Sequence, residues 1–292
     1  MLKSSKLISL ILVFALLTMT ACKKDEPVEL IYEFNVGGTT YQVRASESAL
    51  KQERIEIPSE YNGIPVTALM NRGFEGAKVK YVYIPDNVND IGHYTFYNCA
   101  KLEEVRIPSG IEEIGANCFN LCVKLKSINI PDTVKYIDEA AFYKCSSLTS
   151  VTIPDSVVYI NSYAFAYCEN LEEIKFSKNI KDIFSRAFYG CKNLREISIP
   201  EGINQLNPYT FYGCEKLQRV VIPSSMAYIG GAFSCCGSLS EIFYKGTEDD
   251  WNKIKINDDR LPFAECYYYS ESEPAEDGNF WHYDANGEIK IW

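Results

Sequence analysis

Cysteine closes one short phrase again and again: AFYKC at residues 141–145, AFYGC at 187–191 and TFYGC at 210–214. A thiol in such a pattern can ligate a metal, form a disulfide, or pack as a small apolar group. Structural zinc needs four converging ligands, usually from paired short spacings such as C-x-x-C. The cysteines here come one per phrase without that spacing, and His93 and His282 stand apart. No metal and no cofactor are therefore expected. Neighbouring strands lie ~4.7–4.9 Å apart, within bridging range, yet in-register side chains point the same way and suit the disulfide torsion poorly. The expected role is buried packing. A cap disulfide between Cys266 and Cys235 or Cys236 stays open.

Other catalytic phrases are missing. There is no G-x-S-x-G, no H-E-x-x-H and no phosphate-binding glycine loop. Carboxylate pairs occur at Glu112-Glu113 and Asp249-Asp250, as ordinary surface acids would. The stretch DANGE, residues 284–288, has the look of a polar hairpin turn. No enzymatic activity is expected. The net charge of −10 argues against nucleic acid and against adsorption to anionic lipid, both of which call for basic patches. With 47% hydrophobic residues in 292, the chain can build a sizeable core.

The elements that position the cysteines repeat with one period. Ile-Pro marks Ile57, Ile84, Ile107, Ile130, Ile153, Ile199 and Ile222, with Phe176-Ser177 in the one gap. From Ile84 each step is 23 residues. Phenylalanine keeps time from Phe74 to Phe233, cysteine from Cys99 to Cys236 and leucine from Leu102 to Leu239. Four residue types sharing one period define stacked coils, none of which can bury its apolar face alone. Within a coil, Leu-x-x-Ile-x-Phe (171–176) alternates as a strand does, and in the other coils the proline after the strand ends the ladder. The residue before each Phe is small, as expected where coils approach closely.

The N-terminus reads as an export signal: Lys3 and Lys6, then the apolar run Leu7 to Leu17, then small Ala21 before Cys22. Eleven apolar residues are too few to span a bilayer core of ~30 Å. The pattern resembles a bacterial lipoprotein signal with Cys22 as the lipidated residue. KKDEP after it resembles the Lys-acidic tag of surface-exposed Bacteroidota lipoproteins.

The unit IPDSVVYINSYAFAYCENLEEIKF is similar to the BspA-like class of bacterial leucine-rich repeats. The resemblance covers about residues 55–245. It implies a repeat solenoid: a right-handed array of about 23-residue coils, a parallel β-sheet on one face, short turns or helical segments opposite, and a cap at each end. The organisation expected is a signal peptide (1–21), a lipid tether (22–29), an N-terminal capping hairpin turning at Gly37-Gly38 (30–54), the solenoid (55–245) and a C-terminal cap (246–292). Thr247 is placed to cap a short helix, and a second hairpin turns near Asn286-Gly287.

The outward strand positions form polar columns: Tyr81, Tyr83, Glu104, Arg106, Asn129, Thr152, Glu173, Lys175, Glu196 and Arg219. Tyrosine and arginine favour binding hot spots, so these residues are the candidate binding face. A second tyrosine column follows the phenylalanines at Tyr97, Tyr143, Tyr189 and Tyr212 and is read as shielding for the turns. The resemblance implies adhesion from the outer membrane: a protein ligand on the host or on neighbouring cells, with membrane contact through the N-terminal lipid alone. The alternative ligand is a glycan, captured beside a nutrient-uptake system.

Overall fold

The structure is a computed structural model and describes residues 28–275 and 277–292. The expected signal peptide and the Cys22 lipidation site lie outside the described residues. All but one of the coils contribute a strand to a main parallel sheet. That sheet runs in three segments: Arg54–Glu56 with Tyr81–Tyr83 and Glu104–Val105, then Ser150–Thr152 with Glu173–Lys175, then Glu196–Ser198 with Arg219–Ile222 and Glu241–Tyr244. The coil through Lys124–Ile130 has no strand residues and interrupts it. Where the sequence suggests turns, a second, narrower parallel sheet forms. Its two-residue strands include Glu113–Ile114, Tyr136–Ile137, Tyr159–Ile160 and Asp182–Ile183. The inward residue of each is a buried isoleucine. Proline carbonyls set the link between the sheets, because each accepts the N–H three residues on, as Pro154 does from Val157 at 3.0 Å. In the coil that lacks proline, Ser177 Oγ instead accepts from the Asn179 N–H at 3.0 Å, a serine turn doing the same job.

The core is a set of ladders. Eight phenylalanines, Phe74 to Phe233, are fully buried. From Phe96 onward their rings stack at 5.0–5.7 Å between centroids and within 10° of parallel. The Phe233 N–H donates to Asp258 Oδ2 at 2.7 Å. From Phe74 to Phe211 each Phe N–H donates to the carbonyl of the small residue one coil on, such as Phe165 to Ala187 at 2.8 Å. A larger side chain there would hold the coils apart. Thr95 and Thr210 are tolerated in that column because their hydroxyls bond locally to Gly92 and Asn207 carbonyls at 2.6 and 2.7 Å.

The cysteines gain a chemical reason as well as a steric one. Each ladder thiol donates to the Phe carbonyl of the preceding coil, from Cys99 to Phe74 at 3.1 Å through Cys236 to Phe211 at 3.1 Å. That carbonyl also accepts a backbone N–H in its own coil, as Phe165 does from Cys168, so both its lone pairs are used. All ten described cysteines are free. Neither disulfide considered for Cys266 is formed.

The ends close the two sheets separately. The antiparallel hairpin Leu30–Phe34 with Tyr41–Ala45 extends the narrow sheet through Ile64–Leu69. The strands Glu265–Tyr269 and Phe280–Tyr283 extend the main sheet, and Ile289–Ile291 closes it antiparallel. Between them Thr247 caps the helix Glu248–Trp251, its side chain accepting from the Asp250 N–H. Asp284 Oδ1 accepts from the N–H groups of Asn286 and Glu288 and holds the last hairpin turn. Among the described residues no helix is long and apolar enough to cross a membrane.

Candidate recognition surface

The outward columns of the main sheet are solvated along most of their length. Tyr81 and Glu104 are register partners, as are Thr152 and Lys175, and Glu196 and Arg219. Glu173 occupies the same column as Tyr81, and Arg106 lies just past the end of its strand. Asn129 is exposed in the interrupted coil, outside any strand. The predicted residues therefore fall into groups along the face instead of one continuous site.

Charges on this face are matched. Arg106 pairs with Asp86 at 2.6 Å, Lys175 with Glu173 at 3.2 Å, and Arg219 with Glu196 at 3.1 Å. All are well exposed, so each contributes about 0–1 kcal/mol to stability. Their effect is to fix side-chain orientation. At the N-terminal end, Arg54, Tyr81, Val82, Tyr83, Glu104 and Arg106 surround a hollow of about 310 Å³. Tyr81 and Tyr83 are 44% and 48% exposed there, held apart by the buried Val82 between them. Arg54 joins this hollow without having been singled out in the sequence. Its signal was the inward pair Ile55 and Ile57, which sets Arg54 on the outward column in register with Tyr81.

The narrow sheet corrects the reading of His93. Its ring nitrogen and the carboxylates of Glu113 and Asp138, from three successive coils, lie within 4.8 Å of one another. Donors of these types can ligate a divalent cation. Here they already serve the protein: His93 Nδ1 accepts from the Ala116 N–H at 2.9 Å and Asp138 Oδ1 from Asn161 at 2.7 Å. In the neutral ring this leaves the proton on Nε2. Partial burial, then a side-chain hydrogen bond with Asp138 and the Asp138 charge, push the Glu113 carboxyl above its ordinary range. Glu112, next to Glu113, bonds Lys135 at 2.8 Å, and Asp250 bonds Lys253 at 2.8 Å. His282 stacks on Trp292 at 3.9 Å.

The ladder thiols are sealed from solvent, and burial pushes the Cys99 thiol up to about 12 and the Cys122, Cys145, Cys168, Cys191 and Cys214 thiols well above neutrality. Thiolate chemistry at neutral pH is closed to them. The tyrosines after the phenylalanines line a ridge between the sheets, half-buried, with Tyr189 and Tyr212 stacked at 4.7 Å. Along this ridge the residues two before and two after each Phe take left-handed backbone, Tyr163 and Tyr167 flanking Phe165 at φ 59°.

Comparison with known proteins gives a consistent picture. The family model for the BspA type leucine rich repeat region matches in six copies within residues 67–183 and 136–254. No curated protein matches the sequence significantly. A leucine rich repeat protein of T. pallidum is 29% identical and superposes with a TM-score of 0.60, over 64% of this chain and 87% of that one. Two more distant structures share the fold. A leucine-rich repeat protein from Bacteroides ovatus is 24% identical with a TM-score of 0.51, over 82% of this chain and 77% of that one. A leucine rich cell surface protein from Faecalibacterium prausnitzii is 23% identical with a TM-score of 0.50, over 81% and 98%.

Proposed function

The chain belongs to the BspA-type leucine-rich repeat family, and from that premise we propose that it is a recognition protein displayed at the cell surface. Its ligand is a protein, bound through the outer face of the main sheet as an act of adhesion. The observation that carries this reading is the hollow at the N-terminal end, where two half-exposed tyrosines stand between two arginines. Rigid aromatic rings flanked by guanidinium groups are the side chains that dominate protein interfaces. The strands behind them, Arg54–Glu56, Tyr81–Tyr83 and Glu104–Val105, are paired in register, so the site is pre-organised and little ordering cost falls on binding. The export pattern before Cys22 supports lipid anchoring at the outer membrane as the means of display.

The test is binding of the full chain to a panel of extracellular-matrix proteins and whole bacterial cells. Retention of a matrix protein or of cells, lost when Tyr83→Ala and Arg106→Ala are combined, is the expected result. Binding unaffected by both changes would place the ligand on another face. Retention of a neutral polysaccharide alone would replace adhesion with nutrient capture.

A further inference from the structure

The tyrosine ridge between the two sheets carries a second site. Tyr163, Tyr167, Arg186, Tyr189, Tyr209 and Tyr212 surround a trough of about 330 Å³, within the ~300–1,000 Å³ range of small-ligand sites. The lining holds five phenols, one guanidinium, no aliphatic side chain and no carboxylate. Arg186 lies over the rings of Tyr163 and Tyr209, at 5.6 and 4.7 Å from their centroids. Among the described residues it has no carboxylate within ion-pair distance. Arg44, Arg54, Arg72, Arg106 and Arg219 each have one. Two coils before Arg186, Lys144 sits over Tyr143 and Tyr167 at 5.4 and 5.7 Å, again without an acidic partner. In a chain of net charge −10, two neighbouring cations left to aromatic rings are a local reversal of sign.

The floor of the trough is made by omission. Two residues after Phe165 the chain carries Tyr167, but the equivalent positions one and two coils on are Gly190 and Gly213, both at φ +69°. A Cβ on Gly190 would stand 3.0 Å from Tyr167 Cδ1. Glycine there lets the Tyr167 ring lie across the backbone and leaves space that a side chain would fill.

We propose that this trough binds an anionic sugar residue of a polysaccharide. A pyranose presents an apolar C–H face, a rim of hydroxyls and, when acidic, one fixed negative charge. The tyrosine faces, the phenol hydroxyls and Arg186 answer these three features in turn, with Lys144 placed for the charge of the next residue. A folded apolar peptide would find no aliphatic contact here, and nucleic acid would face a strongly acidic protein. The site stands apart from the main-sheet hollow and does not rest on the adhesion reading. The charge has two possible sources, a carboxylate or a sulfate ester.

The test is titration calorimetry of the full chain with a galacturonic acid oligomer, the same oligomer with methyl-esterified carboxylates, and a sulfated neutral oligosaccharide. Binding of the acidic oligomer, weakened about tenfold or more by esterification and by Arg186→Asn, is the expected result. Asparagine tolerates the left-handed backbone at position 186, so the variant keeps its fold. Arg44→Gln in the N-terminal hairpin should leave affinity unchanged. Preference for the sulfated sugar with the same Arg186 dependence would also support the site and would assign the charge to sulfate. Absence of binding to either anionic sugar, equal binding of the esterified oligomer, or binding indifferent to Arg186→Asn would each overturn it.

Discussion

One outward column of the main sheet carries aromatic rings near both of its ends, with opposite fates. At the N-terminal end Tyr83 is 48% exposed. At the C-terminal end the same column continues through Val221, Phe243 and Tyr267, all buried, and closes against the fully buried Trp281. Phe243 and Trp281 meet edge to face at 5.6 Å, and the indole N–H donates to the Tyr244 carbonyl at 2.9 Å. The column position is thus neutral as to burial; what differs is cover. The final hairpin spends its aromatic residues sealing the last strands, as a solenoid end must be sealed. Nothing comparable lies over Tyr81 and Tyr83 among the described residues, so those rings are available to a partner.

The largest expected effect tests the closed end. Trp281→Ala should destabilise the protein by about 3–5 kcal/mol, as loss of a buried indole does. Phe165→Ala in the interior ladder should fall in the same range. Denaturant unfolding of both measures this. A Trp281→Ala midpoint indistinguishable from the parent would mean that the closing hairpin is ornament and the two ends are alike.

Thiol reactivity sharpens the same contrast at the level of local opening. Cys235 is exposed, Cys266 half-buried on the strand Glu265–Tyr269, and the ladder cysteines buried. In native protein at neutral pH, a chromogenic disulfide reagent should label Cys235 quickly and the ladder only with global unfolding. Burial pushes the Cys266 thiol up to about 12, so it should react more slowly than Cys235 in the native protein. Rapid labelling of several ladder thiols in the parent would contradict the sealed core.

At the open end the effect moves from stability to affinity. Tyr83→Ala with Arg106→Ala should weaken ligand binding about tenfold or more while the melting temperature shifts by about a degree. A large fall in melting temperature would show that Tyr83 is structural like Phe243, and the contrast would collapse.

These differences set what the sequence could reveal. The Phe, Cys and Leu ladders were legible because every coil meets the same neighbours, so each column repeats one residue type. The thiol-to-carbonyl bonds were hidden, since they join Cys168 to Phe142, 26 residues apart, and leave no local trace. The narrow sheet was hidden because its strands are two residues long and signal only one inward isoleucine. The Arg186 trough was hidden for another reason. Left-handed backbone is advertised by glycine, yet Tyr163, Arg186 and Tyr209 occupy it here. Their side chains converge only because successive coils stack. His93, Glu113 and Asp138 likewise meet across three coils, a diagonal that no single repeat displays.

The smallest expected effect asks whether openness extends to the narrow sheet of the N-terminal half. Glu113 has its carboxyl pushed above the ordinary range, first by partial burial and then by Asp138, with His93 opposing. The folded state therefore holds the Glu113 proton more tightly than the unfolded chain does. Between the unfolded and folded values the folded state binds more protons, so stability falls as pH rises through that window. Above it the penalty is fully present; below the unfolded value, 4.5, it is absent. Glu113→Gln should therefore raise the melting temperature by about a degree at pH 7, since the site is largely solvated and the repulsion is screened. The gain should vanish near pH 4, where the native carboxyl is already neutral. Melting curves of the parent and Glu113→Gln at the two pH values decide the matter. A gain of equal size at both would trace to the amide's own contacts, and the Glu113–Asp138 repulsion would then be absent from the energetics of this face.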